Sequence, residues 1–249
     1  MTDTSDYRPF NTFGSERTGG WVVTCDHAAN TVPRAIAGGD LGLDPADMAR
    51  HIAYDPGAAG VSRALAERLN GPALLSNFSR LVIDPNRGED DPTLLMKLYD
   101  GTLIPANRNA GPTERARRLD LCYRPYHGEQ ARLADRPETA IVSIHSFTPQ
   151  LRGRPPRPWE IGILYAADQR LSGPTLDLLR AQKDLTVGDN QPYTGALRGD
   201  SMDRHALAHG RLHVLIELRN DVIATPAQQD AWADRLAPLL EAARARAHL

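Results

Sequence analysis

The 249-residue sequence carries 29 basic and 31 acidic side chains, a formal charge of -2, and 41% hydrophobic residues, enough for one sizeable core. That balance makes no electrostatic case for nucleic acid, and two cysteines, Cys25 and Cys122, exclude a disulfide framework and a cysteine-based structural zinc site. No charged-then-apolar leader opens the chain and no apolar run approaches the ~18–20 residues of a membrane span. A soluble, cytoplasmic protein is therefore expected, a monomer or small homo-oligomer, with one α/β domain at 21–249 behind an N-terminal arm at 1–20.

After the arm, Trp21–Cys25 is uncharged and strand-prone and runs into Asp26-His27-Ala28-Ala29-Asn30, the pattern of a buried strand ending in a functional loop. Asp44-Pro45-Ala46-Asp47 starts a short helix with a cap and a proline at its first position, ending near His51. Tyr54-Asp55-Pro56-Gly57 opens a second helix, with Asp55 as its natural cap and an apolar stripe at Ala58, Val61, Leu65 and Leu69, and Asn70-Gly71 stops it. Strands are predicted at 73–75 and at 80–84, the latter leading into Pro85-Asn86-Arg87-Gly88. Between 89 and 111 the pattern offers only a short helix around 94–98 and a short strand at 101–105.

Residues 112–134 form a charged, helix-favouring segment in which Pro125 forces a break or kink. The strongest strand is 139–144, nearly all β-branched or apolar, and it delivers His145-Ser146-Phe147 at its end. An Arg- and Pro-rich loop at 151–158 precedes a strand at 161–165, a helix near 173–182 and a strand at 185–187. The last strand, 212–218, carries Glu217 near its end. Thr225 caps a final helix with Trp232, Leu236, Leu239, Leu240 and Ala243 on one face and a kink expected at Pro238. Strands alternating with helices, without internal repeats, predict a single-domain α/β fold with a mostly parallel or mixed central sheet flanked by helices. Ligands of such folds bind beyond the carboxyl ends of the strands.

Two histidines, His27 and His145, end two separate buried strands. Two imidazoles with one carboxylate make a catalytic zinc pattern that leaves a position for water, so one Zn2+ per chain is expected. For the acid the sequence offers Asp55, Asp26 and Asp84; Asp55 is equally explained as a helix cap, and Asp26 suits a partner that orients an imidazole. His205 and His209 form an i,i+4 pair of zinc-binding spacing, but Ala206 replaces the Glu of a His-Glu-x-x-His motif. His51, His127, His213 and His248 have no supporting context. Glu217 lies within an apolar run, where partial burial would raise its pKa, as suits a general base. Arg80 and Arg87 bracket a strand end and Arg219 follows Glu217; three guanidinium groups beside a metal favour a small acidic substrate. A non-catalytic binder of acidic small molecules is the rival reading. A nucleotide-binding protein is disfavoured because no glycine-rich phosphate loop follows a strand, Gly38-Gly39 matching neither pattern.

Five segments in order, Cys25-Asp26-His27-Ala28-Ala29-Asn30 with Val32-Pro33, 79–87, 144–149, 189–193 and 216–221, resemble the N-formylglutamate amidohydrolase family over most of residues 21–223. The resemblance implies a zinc-exopeptidase-like α/β fold related to zinc carboxypeptidases and aspartoacylases. It also implies hydrolysis of the N-formyl or similar N-acyl amide of an acidic amino acid such as N-formyl-L-glutamate. It puts His27 and His145 on zinc, Glu217 as base and Asn86-Arg87 as a carboxylate clamp. Where zinc carboxypeptidases have His-x-x-Glu, this chain has His27-Ala28-Ala29-Asn30. The acid must then come from elsewhere, and Asp55 is the choice by elimination.

Overall fold

The computed structural model describes residues 7–247; residues 1–6 of the arm and His248 lie outside the described residues. Its strands are β1 Phe10–Phe13, β2 Trp21–Cys25, β3 Ala73–Ser76, β4 Leu98–Tyr99, β5 Thr102–Leu103, β6 Ala140–Phe147, β7 Ile161–Leu164, β8 Val187–Asp189 and β9 His213–Arg219. The helices are α1 Pro45–Met48, α2 Ala58–Arg68, α3 Pro112–Arg118, α4 Arg124–Ala134, α5 Ser172–Arg180, α6 Ser201–His205 and α7 Pro226–Ala247. Seven strands form one mixed sheet in the order β1-β3-β2-β6-β9-β7-β8, and β4 and β5 make a separate hairpin. β3, β2, β6 and β9 run parallel; β1 is antiparallel to β3, and β7 is antiparallel to β9.

Both faces of the sheet are covered, which is why β2 and β6 are buried at every position. Val23, Cys25, Val142, Ile144, Val214 and Ile216 pack with α2, α5 and α7. Val22 and Leu74 point the other way, into a second core with Phe78, Leu81, Tyr123 and Tyr126. The period-2 alternation then sends Asp26, His145 and Glu217 to this second side, and the register pairs His145 directly with Glu217. Among the described residues no helix is long and apolar enough to cross a membrane.

Several local expectations are corrected. Part of the presumed arm is the edge strand β1. Residues 80–84 are buried but are not a strand: Arg80 N donates to the Ala53 carbonyl and Asp84 N to that of Leu94. The Leu81 and Val82 carbonyls accept from the Asn107 and Arg118 side chains, so the backbone is satisfied without a neighbouring strand. No helix forms at 94–98, where the chain instead enters the β4–β5 hairpin. Pro125 does not break the helical segment, because a π-helical stretch, Leu119–Tyr123, precedes it and puts the proline in the first turn of α4. α7 likewise runs through Pro238. His145 lies inside β6, which extends to Phe147. Asp55 does not cap α2: Gly57, at φ 82°, takes the N-cap position, and the Asp55 carboxylate is used elsewhere.

Candidate active site

β2 ends in the turn that carries His27, β6 carries His145, and the loop before α2 brings Asp55 between them, tied by a hydrogen bond from Asp55 N to the His27 carbonyl. Asp55 Oδ2 lies 3.3 Å from His27 Nδ1 and 3.0 Å from His145 Nδ1, and accepts a hydrogen bond from Ser146 N at 3.1 Å. One donor atom from each of the three buried residues falls within 4.8 Å of the others. The opposite ring nitrogens face different carboxylates: His27 Nε2 is 2.7 Å from Asp84 Oδ1, and His145 Nε2 is 3.5 Å from Asp26 Oδ2. Asp26 Oδ1 in turn accepts the Tyr126 hydroxyl at 2.6 Å.

This arrangement fits a metal ion. A carboxylate at Nε2 favours the Nε2–H tautomer and so presents the Nδ1 lone pair of each ring to the centre, beside a carboxylate oxygen. Three aspartates and Glu217 crowd two imidazoles, an excess of buried negative charge that a divalent cation would neutralise. Burial opposes ionisation of Asp55 and Asp84, but the neighbouring histidines, with Arg80 for Asp84, hold both well below the usual carboxylate range. Asp26, likewise opposed by burial, is pulled down to about 2 by His145, His27 and the Tyr126 hydroxyl. His145 is raised well above an ordinary imidazole: burial works against it, and the carboxylates of Asp26 and Asp55 beside its two ring nitrogens prevail. Asp26 and Asp84 therefore orient the imidazoles, and Asp55 shares the centre with them.

Glu217, opposite His145 on β9, faces the same cavity, and its Oε2 is buried without a hydrogen-bond partner. Burial and the Asp55 charge push its carboxyl up to about 7, against His145, His27 and Arg80. Its antiparallel neighbour has to be glycine. A Cβ on Gly162 would stand 1.9 Å from the Gln191 carbonyl oxygen, so only a hydrogen there lets the loop at 190–197 cross the sheet. Asn190 folds that loop back, its Oδ1 accepting from Tyr165 N and Gly195 N.

Arg80 is paired with Asp84 Oδ2 at 2.8 Å, lies 3.6 Å from Asp55 Oδ1, and stacks on the Tyr99 ring at 5.3 Å. Asn86 and Arg87 line the cavity beside it; Asn86 Oδ1 accepts from Ser201 N at the start of α6. Arg219 is not brought in. It points past the site, to Asp221 at 2.7 Å, Glu160 at 3.5 Å and the carbonyls of 157–159, because it lies two residues beyond Glu217 where β9 leaves the cavity. His205 and His209 do not form a metal pair either: His205 Nε2 meets His127 Nδ1 at 2.8 Å, and His209 lies in a following turn of 3₁₀ helix.

The cavity has a volume of about 280 Å³ and includes His51, Tyr99, Tyr193, Leu197 and Asp200, none of which sequence reasoning selected for the site. Asp200 was findable as a helix cap, its side chain accepting from Asp203 N, and burial pushes its carboxyl up to about 7. Tyr193 stood in the segment 189–193, which carried the family resemblance without a role assigned to the tyrosine.

The family model of N-formylglutamate amidohydrolase matches residues 19–224. The gene product Atu2144 of Agrobacterium tumefaciens is 33% identical, with a TM-score of 0.90 over 98% of this chain and 97% of that one. An N-formylglutamate amidohydrolase of Ralstonia eutropha JMP134 shares the fold, with a TM-score of 0.53 and 20% identity over 94% of this chain and 98% of that one. No curated protein matches the chain. With the family model spanning β2 to β9, the His27–Asp55–His145 group and Glu217, this chain belongs to the N-formylglutamate amidohydrolase family.

Proposed function

We propose that the protein is a zinc-dependent amidohydrolase that cleaves the N-formyl or another small N-acyl amide of an amino acid, with N-formyl-L-glutamate as the reference substrate. The observation that carries this reading is the convergence of His27 Nδ1, His145 Nδ1 and Asp55 Oδ2 beside the unpartnered carboxylate oxygen of Glu217. Zinc held by those three residues would supply Lewis acidity, lowering the pKa of water and polarising the amide carbonyl.

The remaining steps belong to the chain's own groups. Glu217 takes a proton from the attacking water and passes it to the amide nitrogen as the C–N bond breaks; the second water proton also ends on nitrogen, so that water and amide become a carboxylate and an ammonium group. Arg80, held in place by Asp84, is positioned to stabilise charge developing on the carbonyl oxygen. Asn86 and Arg87 hold the substrate's α-carboxylate. Asp26 and Asp84 face the outer ring nitrogens and so turn the inner nitrogens of both imidazoles toward the centre, where a bound cation would displace their protons.

The test is formate release from N-formyl amino acids by protein stripped with a chelator and reloaded with zinc. Activity lost on stripping and restored by about one zinc per chain is expected. Carboxylate binding that survives stripping, with no turnover in the reloaded protein, would replace this reading with that of a non-catalytic binder.

A further inference from the structure

The residues that line the cavity over the His27–Asp55–His145 group fall into a polar set and an apolar set. In the polar set, Arg80 is already neutralised by Asp84 and Asp55. Arg87 donates to the Asn86 carbonyl and the Thr93 hydroxyl and forms no ion pair among the described residues, which leaves one guanidinium for one incoming carboxylate. The third arginine that a dicarboxylate would need, Arg219, is engaged by Asp221 and Glu160 outside the cavity. Arg157 is stacked on the rings of Phe147 at 5.7 Å and Tyr193 at 5.0 Å, donates to the Thr148 carbonyl, and does not line the cavity.

The other set is apolar. Leu164 on β7 and Leu215 on β9 are register partners, and Leu215 lies two residues before Glu217 on the same face of its strand. Phe147 closes the end of β6, and Tyr193 and Leu197 come from the loop that Gly162 and Asn190 allow to cross the sheet. The acid on this cavity outside the His27–Asp55–His145 group and Glu217 is Asp200, which supplies no cation for a second carboxylate.

We propose that this cavity selects N-acyl amino acids with a single carboxylate, on Cα, and an aliphatic side chain of about leucine size seated against Leu164, Leu215 and Phe147. The proposal rests on the hydrolase reading above for the acyl amide and adds the identity of the side chain. Burying a leucine side chain against these apolar residues strengthens binding by an order of magnitude or more. A second carboxylate placed there would lose its hydration without gaining a cation.

Side-chain preference is read by binding, apart from turnover. Zinc-loaded Glu217→Gln protein is titrated calorimetrically with N-formyl-L-leucine, N-formyl-L-glutamine and N-formyl-L-glutamate, and wild-type formate release is measured with the same three. The leucine compound is expected to bind at least tenfold tighter than the glutamate compound, with the nearly isosteric, neutral glutamine compound between them. Leu197→Arg, folded by circular dichroism, is expected to invert that order by supplying the missing cation. Tighter binding of N-formyl-L-glutamate, no binding of the leucine compound, or an unchanged order in Leu197→Arg would each overturn the proposal. A glutamate preference abolished by Arg157→Ala would assign a second carboxylate to Arg157. Failure of the hydrolase reading shows separately, as absence of formate with every compound while the binding order still judges the side chain.

Discussion

Two buried histidines outside the His27–Asp55–His145 group make the protein's stability depend on pH in a calculable way. His127 Nε2 donates to the Pro85 carbonyl at 3.0 Å, and its Nδ1 receives His205 Nε2–H at 2.8 Å, an arrangement that requires the His127 ring to be neutral, with the second buried imidazole packed against it. Burial, with the neighbouring imidazole and Arg204, pushes His127 down to about 3. Burial, with Arg204, His209 and Arg211 outweighing Asp26, pushes His205 down to about 4. Unfolded imidazoles titrate near 6.5, so between that pH and the folded values the unfolded chain binds more protons. The stabilisation is fully present above about 6.5 and is lost as pH falls. From pH 7 to pH 5 each unfolded imidazole gains about 1.9 kcal/mol that its folded counterpart forgoes, about 4 kcal/mol for the pair. That is a large share of the ~5–15 kcal/mol that holds a domain folded. In His205→Gln the amide N–H can still donate to His127 Nδ1 while one titrating group is gone. Urea unfolding of chelated protein, extrapolated to water at each pH, should show a pH 7 to 5 loss about 2 kcal/mol smaller in the variant than in wild type. Contributions from the groups common to both proteins cancel in that difference. Equal losses in the two proteins would refute the neutral pair.

Glu217→Gln keeps the shape of the side chain but removes the base; kcat should fall by about 10²–10⁴ with zinc stoichiometry unchanged, and loss of metal would make Glu217 a ligand. Asp84→Asn removes the carboxylate from His27 Nε2 and should weaken zinc binding by about 10–100-fold in competition with a chromophoric chelator. Arg219→Ala, which breaks contacts only outside the cavity, should leave KM within about twofold; a larger rise would return Arg219 to the substrate site. Gly162→Ala puts a methyl group 1.9 Å from the Gln191 carbonyl oxygen, so the loop at 190–197 must move and KM should rise more than thermal stability falls.

The strand ends were legible because their signal is local. An uncharged β-prone run followed by Asp-His, or by His-Ser-Phe, announces a buried strand delivering a ligand, and residues 21–27 and 140–147 behave that way. Glu217 was legible for the same reason, as a charge inside an apolar strand. Asp55 was ambiguous because an Asp before Pro and a helix satisfies local capping rules; only the approach of two imidazoles from β2 and β6 decides its use. Residues 80–84 misled because an apolar run has the composition of a strand whether its backbone groups are met by a neighbouring strand or, as here, by Asn107 and Arg118.

By itself the sequence determined the alternation of strands and helices, the acidic and imidazole side chains at the strand ends, and the short motifs of the N-formylglutamate amidohydrolase family, since each follows from neighbours a few residues apart. Tertiary structure alone decided which of those groups meet. The parallel register of β6 and β9 places His145 opposite Glu217, Gly162 admits the loop that brings Tyr193 and Leu197 to the cavity, and the exit of β9 carries Arg219 to Asp221. Such pairings depend on strand order and on backbone groups satisfied from distant parts of the chain, which local periodicity does not encode.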